Sequence, residues 1–291
     1  MTFYTGSAGI LARKAQLEPM LGHPLHAFKT NTELAQDDVL VGWGQKANTR
    51  QIRQKAHDLG LPYWQLEDGF IGYIGHPARG GKAVSLIADP VGIYYDARQP
   101  SRLEELIATP CDDSMLARAE TLTAELLRLG ITKYNCYTAD SGLPDTLTAR
   151  LHSDPRPKVL LIDQVAGDLS IPGALASEED FVAMVAAARR NHPDARLLLR
   201  THPDTRLGKK SGVLARLALD DVEVVAEHCH PHALLNSVEA VYTVSSQMGF
   251  EALLLGKAVH CFGMPFYAGW GLTQDRKSTR LNSSHTVESR M

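Results

Sequence analysis

Residues 158–164 read KVLLIDQ, an unbroken apolar run that ends in an acid and an amide. A strand without polar alternation is buried on both faces, which marks a parallel sheet covered by helices on either side. The sequence after it keeps changing period. SEEDFVAMVAAARRNHP (177–193) reads as a capped helix, ARLLLRTHP (195–203) as a strand running into a loop, and VEVVAEH (222–228) as another strand. HALLNSV (232–238) is a short helix, AVYTVSS (240–246) a strand, GFEALLLGK (249–257) a helix and AVHCFG (258–263) a last strand. Such alternation is the signature of a doubly wound α/β domain. Right-handed crossovers then gather the C-terminal ends of the strands on one edge, where ligands bind.

The first half repeats the pattern less regularly. VLVGWG (39–44) is a strand, QIRQKAHDLG (51–60) a helix stopped by Gly60, and LPYWQLEDGF (61–70) a strand that enters an acidic turn. VSLIADPVGIYYDA (84–97) predicts a hairpin turning at Asp89-Pro90. SRLEELI (101–107) starts a helix with Ser101 as N-cap and Glu104 at the capping-box position, and MLARAETLTAELLRLG (115–130) is a helix ending at Gly130. TADSGLPDTLTARLHSDPRPK (138–158), rich in Pro, Asp and Ser, is the expected linker. The fold class is therefore α/β, with the linker dividing the chain into a first part over residues 1–150 and a doubly wound domain over residues 151–276.

Composition narrows the classes. The chain has 291 residues, 44% hydrophobic and 22% charged, with a formal net charge of -3, which fits a globular protein with a real core. Cys111, Cys136, Cys229 and Cys261 form no C-x-x-C pair, so neither a zinc knuckle nor a disulfide framework is expected, and a reduced, cytoplasmic setting fits. No signal peptide and no run of about 18 apolar residues is present. Without a Lys/Arg block, nucleic acid is not an expected partner. After Leu272 the chain turns polar and serine-rich, and Asp275 to His285 reads as the translation of a sequencing-adapter oligonucleotide. Residues 277–291 are accordingly expected to be an artefact, with natural sequence continuing beyond.

Four loops after strands carry candidate chemistry. In IDQVAGDLS, Asp168 follows Gly167 near Asp163, Gln164 and Ser170; a carboxylate there serves as nucleophile, base or metal ligand, or simply as a turn residue. His202-Pro203 with Lys209 and Lys210 suits a phosphate or a sugar carboxylate, or is a solvated turn. Ser245 and Ser246, followed by Gly249 and Glu251, form a strand–turn–helix start at which N–H groups, the helix dipole and hydroxyls meet a phosphate, or merely cap the helix. It is neither G-x-G-x-x-G nor a P-loop, so nicotinamide and ATP sites of those kinds are unsupported. Glu67-Asp68, adjacent carboxylates after a strand, offer a general base or a capping turn. His228, His230 and His232 read as surface-loop histidines, because Pro231 breaks helical metal spacing. Tyr267 and Trp270 in FYAGWG fit a core or a carbohydrate-facing wall equally.

Taken together, LEDGF (66–70), SLIADPVGIYYDARQPSRLE (85–104), KYN (133–135), DQVAGDLS (163–170), THPD with GKKSG (201–212), and SSQMGFEALLLGK with GMPFYAGWGLT (245–273) resemble one family. It is the retaining β-Kdo glycosyltransferases of capsule polysaccharide assembly, the KpsC type. The strings occur in the family's order over nearly all of residues 1–275, and look more like the first of the two modules such proteins often carry. The stretch GYIGHPARGGKAV (72–84) departs from the family's usual sequence after LEDGF.

The resemblance implies a GT-B enzyme with two Rossmann-like doubly wound domains, over residues 1–150 and 151–276, that face a cleft. The acceptor, a Kdo-bearing lipid, would lie mainly on the first domain and CMP-Kdo on the second, with no cofactor and no metal. It places Asp168 at the nucleophile position and Glu67 or Asp68 at the general base. Gln164, His202, Pro203, Lys209, Lys210, Ser245, Ser246, Gly249 and Glu251 would bind the donor, and Lys133, Asn135, Tyr267 and Trp270 the acceptor or sugar. Work at the inner face of a membrane, as a peripheral protein, follows from such an acceptor. The rival readings are a transferase for another CMP-linked acidic sugar and a non-catalytic nucleotide- or glycan-binding module.

Overall fold

The computed structural model describes residues 1–138, 140–201, 205, 211–217 and 219–277. They form two compact α/β units: Met1–Pro110 with Thr132–Cys136, and Cys111–Ile131 with the chain from Tyr137 onward. The division falls earlier than residue 150, because the helices Asp113–Arg128 and Asp145–His152 group with the second unit.

The first unit carries β1 (Phe3–Thr5), β2 (Leu25–Ala27), β3 (Val39–Trp43), β4 (Tyr63–Asp68), β5 (Tyr73–Ile74), β6 (Lys82–Ala83), β7 (Leu86–Asp89) and β8 (Tyr134–Asn135). Its main sheet runs β2-β1-β3-β4-β7, parallel except for β7, with β6-β5-β8 as a small separate sheet. This is the flavodoxin-like order, in which the direction of winding reverses between β1 and β3. The alternation of a strand explains its two-sided core: Val39, Val41 and Trp43 pack with Phe3, Leu17 and Leu66, while Leu40 on the other face meets Ile52 and Ala56 of the helix Arg50–Leu59. Gly60 ends that helix in the left-handed region at φ 65°, as its sequence predicts.

The second unit carries β9 (Lys158–Ile162), β10 (Arg196–Arg200), β11 (Val222–Val225), β12 (Ala240–Thr243), β13 (Ala258–Cys261) and β14 (Gln274–Asp275). All are parallel in the order β11-β10-β9-β12-β13-β14, the dinucleotide-fold order with its switch point between β9 and β12. KVLLIDQ thus supplies the central strand, and Val159 to Ile162 are buried on both faces. Val159 and Leu161 pack on Phe181, Met184 and Val185 of the helix Glu178–Asn191, whose start is fixed by a Ser177/Asp180 capping box.

Three expectations are corrected. No hairpin turns at Asp89-Pro90: β7 pairs antiparallel with β4, and the Asp89 carboxylate accepts N–H bonds from Val91, Gly92 and Arg102, folding the chain toward the Ser101-capped helix instead. The expected linker contains the helix Asp145–His152, which buries Leu147 and Leu151, one turn apart, in the second unit. Finally, His230 and His232 are not at the surface; they are only 2% and 7% exposed, whereas His228 is exposed. Proline is tolerated in a first helical turn, so Pro231 opens the helix Pro231–Asn236, with His230 as its N-cap accepting the His232 N–H at 3.0 Å. The other ring nitrogen of His230 bonds the Gly130 carbonyl at 3.0 Å.

Burial pushes the pKa of His232 down to about 4, with help from His230. In the unfolded chain the ring titrates near 6.5. Between about pH 6.5 and 4 the unfolded state therefore binds a proton that the folded state refuses, and stability falls as pH falls. Urea unfolding should lose about 2 kcal/mol from His232 between pH 7.5 and 5. His232→Leu should flatten that slope whatever its stability at pH 7.5. An unchanged slope in the variant would assign the acid sensitivity elsewhere.

Candidate functional site

Each unit holds a polar cluster at the C-terminal ends of its strands. In the second unit, the loop after β9 and the loop after β12 are joined side chain to side chain. Gln164 Nε2 donates to Ser245 Oγ at 2.9 Å, and Gln164 Oε1 accepts the Ser245 N–H at 2.8 Å. Ser170 Oγ lies 3.3 Å from both Gln164 Nε2 and Ser245 Oγ. The Ser170 N–H in turn donates to Asp168 Oδ1 at 2.8 Å, and the Asp168 N–H to the Val165 carbonyl. Gly167 turns the chain at φ 79°, leaving Asp168 exposed. Asp168 is therefore a solvent-facing carboxylate oriented by a network that reaches the start of the next site loop.

Ser246 caps the helix Gln247–Leu254, its Oγ accepting the Met248 N–H at 3.3 Å. Its own N–H donates to Thr243 Oγ1, and its carbonyl accepts the Tyr267 hydroxyl at 2.6 Å. Tyr267 is buried, its hydroxyl pKa raised by burial, so it props the Ser246 turn from behind and does not form a sugar-facing wall. Gly249 makes this possible. A Cβ there would lie 2.3 Å from the Tyr267 hydroxyl oxygen and 2.9 Å from Thr243 Cγ2. Gly249→Ala should therefore cost about 1–3 kcal/mol and displace the turn, read as a lower unfolding midpoint. Glu251 is buried one turn on, and Trp270 spends its indole N–H on the Phe266 carbonyl.

Asp163, the residue directly after β9, plays a structural part. Its buried carboxylate accepts the N–H groups of Gln164, Leu214 and Ala215, and burial raises its pKa. Gly212 leaves room for it, since a Cβ there would fall 2.0 Å from Oδ2. His202, Pro203, Lys209 and Lys210 lie outside the described residues.

In the first unit the cluster sits at the ends of β3 and β4. Glu67 Oε1 accepts the Trp43 indole N–H at 2.9 Å and the Asp68 N–H at 3.0 Å. Burial and the neighbouring Asp68 raise the Glu67 pKa, opposed by these bonds and by Lys133. Asp68 Oδ1 accepts the Tyr73 hydroxyl at 2.7 Å and lies 3.5 Å from the Arg13 guanidinium. Arg13 itself stacks 4.5 Å over the Trp43 ring, and Lys46 lies 5.7 Å from the same ring. The two carboxylates are thus distinct: Asp68 is tied to a cation and a phenol, whereas Glu67 is desolvated and held by an indole and a backbone N–H. Lys133 belongs to this cluster, but Asn135 spends its whole amide on the backbone, accepting from Thr132 N–H and donating to the Tyr73 and Thr132 carbonyls.

Arg13, Trp43 and Tyr73 are members that residue-by-residue reading passes over. Trp43 ends the strand VLVGWG beside β4, and Tyr73 falls five residues after Asp68; only strand order brings them together. Among the described residues no three His, Cys, Asp or Glu side chains gather to hold a metal ion, and no helix is long and apolar enough to cross a membrane.

A family model described as capsule polysaccharide biosynthesis protein matches residues 38–290. The chain belongs to this family. The capsule polysaccharide modification protein LipA of Neisseria meningitidis serogroup B is 39% identical over 273 residues, 93% of this chain and 38% of LipA. The lipopolysaccharide-processing protein LpsZ of Rhizobium meliloti is 34% identical over 82% of this chain and 54% of LpsZ. The chain thus spans well under two thirds of these curated relatives. Among solved structures, the Thermosulfurimonas dismutans KpsC beta Kdo 2,4 transferase superposes with TM-score 0.86 at 40% identity, covering 96% of this chain and 84% of that one. The beta Kdo 2,7 transferase of the same organism's KpsC reaches 0.66 at 27% identity, covering 97% and 85%. This member of the capsule polysaccharide biosynthesis family accordingly has the α/β fold of the KpsC transferases.

Proposed function

We propose that the chain is a retaining β-Kdo glycosyltransferase that moves Kdo from CMP-Kdo to a Kdo-bearing lipid acceptor in capsule polysaccharide synthesis. The likeness to the 2,4 transferase, greater in identity and superposition than that to the 2,7 transferase, favours a 2,4 linkage. The observation that carries the reading is the exposed Asp168 carboxylate, oriented through Ser170 and Gln164 onto the Ser245–Ser246 turn. A nucleophile and a helix start suited to the departing phosphate are thereby held in one network.

In the first step an Asp168 oxygen bonds to the anomeric carbon as the bond to the CMP phosphate breaks, its electron pair leaving on phosphate. In the second, the acceptor hydroxyl gives its proton to Glu67 and attacks the same carbon, freeing the Asp168 carboxylate. Two inversions give net retention. No metal or cofactor takes part in these steps; helix-start N–H groups, the Ser246 hydroxyl, His202 and Lys209 or Lys210 receive the phosphate charge. Work on a lipid acceptor makes the protein peripheral at the inner membrane face.

Incubation of the chain with CMP-Kdo and a lipid bearing one β-Kdo should yield a product heavier by one Kdo residue, with a β-2,4 linkage by NMR. Transfer from CMP-linked sialic acid in place of CMP-Kdo, or an α linkage, would overturn the reading.

A further inference from the structure

We propose that Arg13 is the carboxylate-reading group of the first unit, binding the acid group of an acidic sugar whose hydroxyl is presented to Glu67. The inference rests on the transferase reading for the identity of the sugar, but its geometry stands alone. Arg13 precedes the helix Lys14–Leu21 and is 28% exposed at its side chain. The guanidinium carbon sits over the Trp43 indole, 4.5 Å from the ring centroid. Its polar contacts are long: 3.5 Å to Asp68 Oδ1 and 3.4 Å from Nε to Gln16 Oε1. By comparison, Arg98 closes on Asp96 at 2.6 Å and Arg102 on Glu105 at 2.8 Å, whereas Arg216 stands 3.7 Å from Glu178.

A planar fork of five donors, stacked on an aromatic face and only loosely engaged, is pre-organised for a bidentate carboxylate. The N–H of the same indole donates to Glu67. One indole therefore contacts both the guanidinium, through its face, and the carboxylate, through its N–H. Lys46 near Trp43 and Lys133 near Glu67 add positive charge around this point in a chain whose net charge is negative. Asp68 holds one edge of Arg13 in place and, through Tyr73, is itself held. The cluster thus recognises an anion through Arg13 and handles a proton through Glu67, both held by Trp43.

The test compares a β-Kdo glycoside acceptor with its carboxyl methyl ester, in the full chain and in Arg13→Gln and Arg13→Lys. Esterification should raise the acceptor KM of the wild type about 10- to 100-fold. It should leave that of Arg13→Gln unchanged, while the donor KM stays constant across variants. Arg13→Lys, which keeps the charge and loses the fork, should fall between. Equal use of acid and ester by the wild type, or equal loss with both in Arg13→Gln, would overturn the proposal. Calorimetric titration of the methyl β-Kdo glycoside and its ester supplies an arm free of turnover. Carboxylate-dependent binding that Arg13→Gln loses supports the Arg13 site even if no transfer occurs, in which case the transferase reading alone has failed. Binding indifferent to the carboxylate, or none, overturns the site.

Discussion

Asp168→Asn is expected to lower Kdo transfer by at least about 1000-fold, because a neutral amide cannot form and release the glycosyl ester. The variant separates chemistry from structure cleanly. Asn can accept the Ser170 N–H just as Asp168 Oδ1 does, and the side chain is exposed, so stability should stay within about 0.5 kcal/mol of wild type. With CMP-Kdo and no acceptor, intact-mass measurement of the wild type should find a covalent addition of one Kdo residue that Asp168→Asn lacks. An Asn variant with unchanged turnover would remove Asp168 from the mechanism.

Glu67→Gln should lower transfer to the acceptor about 100- to 10,000-fold while leaving the covalent step with donor intact. Gln can still accept the Trp43 and Asp68 N–H bonds through its carbonyl, so the cluster keeps its shape. The pH profile gives the sign. A base works when deprotonated, and burial holds the Glu67 pKa above the usual carboxylate range. Wild-type transfer should therefore rise with pH through that raised pKa, and this acid limb should be missing from the Gln variant. Asp68→Asn offers the contrast: it should weaken the hold on Arg13 and Tyr73, raising the acceptor KM more than it lowers kcat. The reverse pattern in the two variants would exchange the roles of the neighbouring carboxylates.

The second sheet was legible because its signal is redundant. KVLLIDQ, ARLLLR and AVYTVSS are long buried runs, and each is followed by helical period and a cap that agree with it. The first sheet was legible in β3 and β4, and in β7 as one arm of the expected hairpin. Strands as short as Phe3–Thr5 and Leu25–Ala27 carry too few residues for a period of two to stand out, so the place of β1 between β2 and β3 came from pairing alone. Asp89-Pro90 misled because turn chemistry does not say what is being joined; the carboxylate serves three N–H groups, one of them at Arg102.

The candidate site divides in the same way. Loops after strands were readable, since topology alone puts them on one edge. Which side chain is spent on support was not. Gln164, Asn135 and Tyr267 all look like ligand-binding residues in a string of letters, yet each gives its hydrogen bonds to the protein. Arg13 had no motif to announce it, because its significance lies in a tryptophan thirty residues away.

The bonds between Gln164 and Ser245 span 81 positions of chain. Loop-closure entropy delays such distant pairings relative to local helices and turns. A growing chain that has finished β9, β10 and β11 holds the Asp168 loop without its opposite wall, and remains so until β12 is added beside β9. The two halves of this cluster are thus made far apart in time, and Gln164 has no Ser245 to grip until the centre of the sheet is complete.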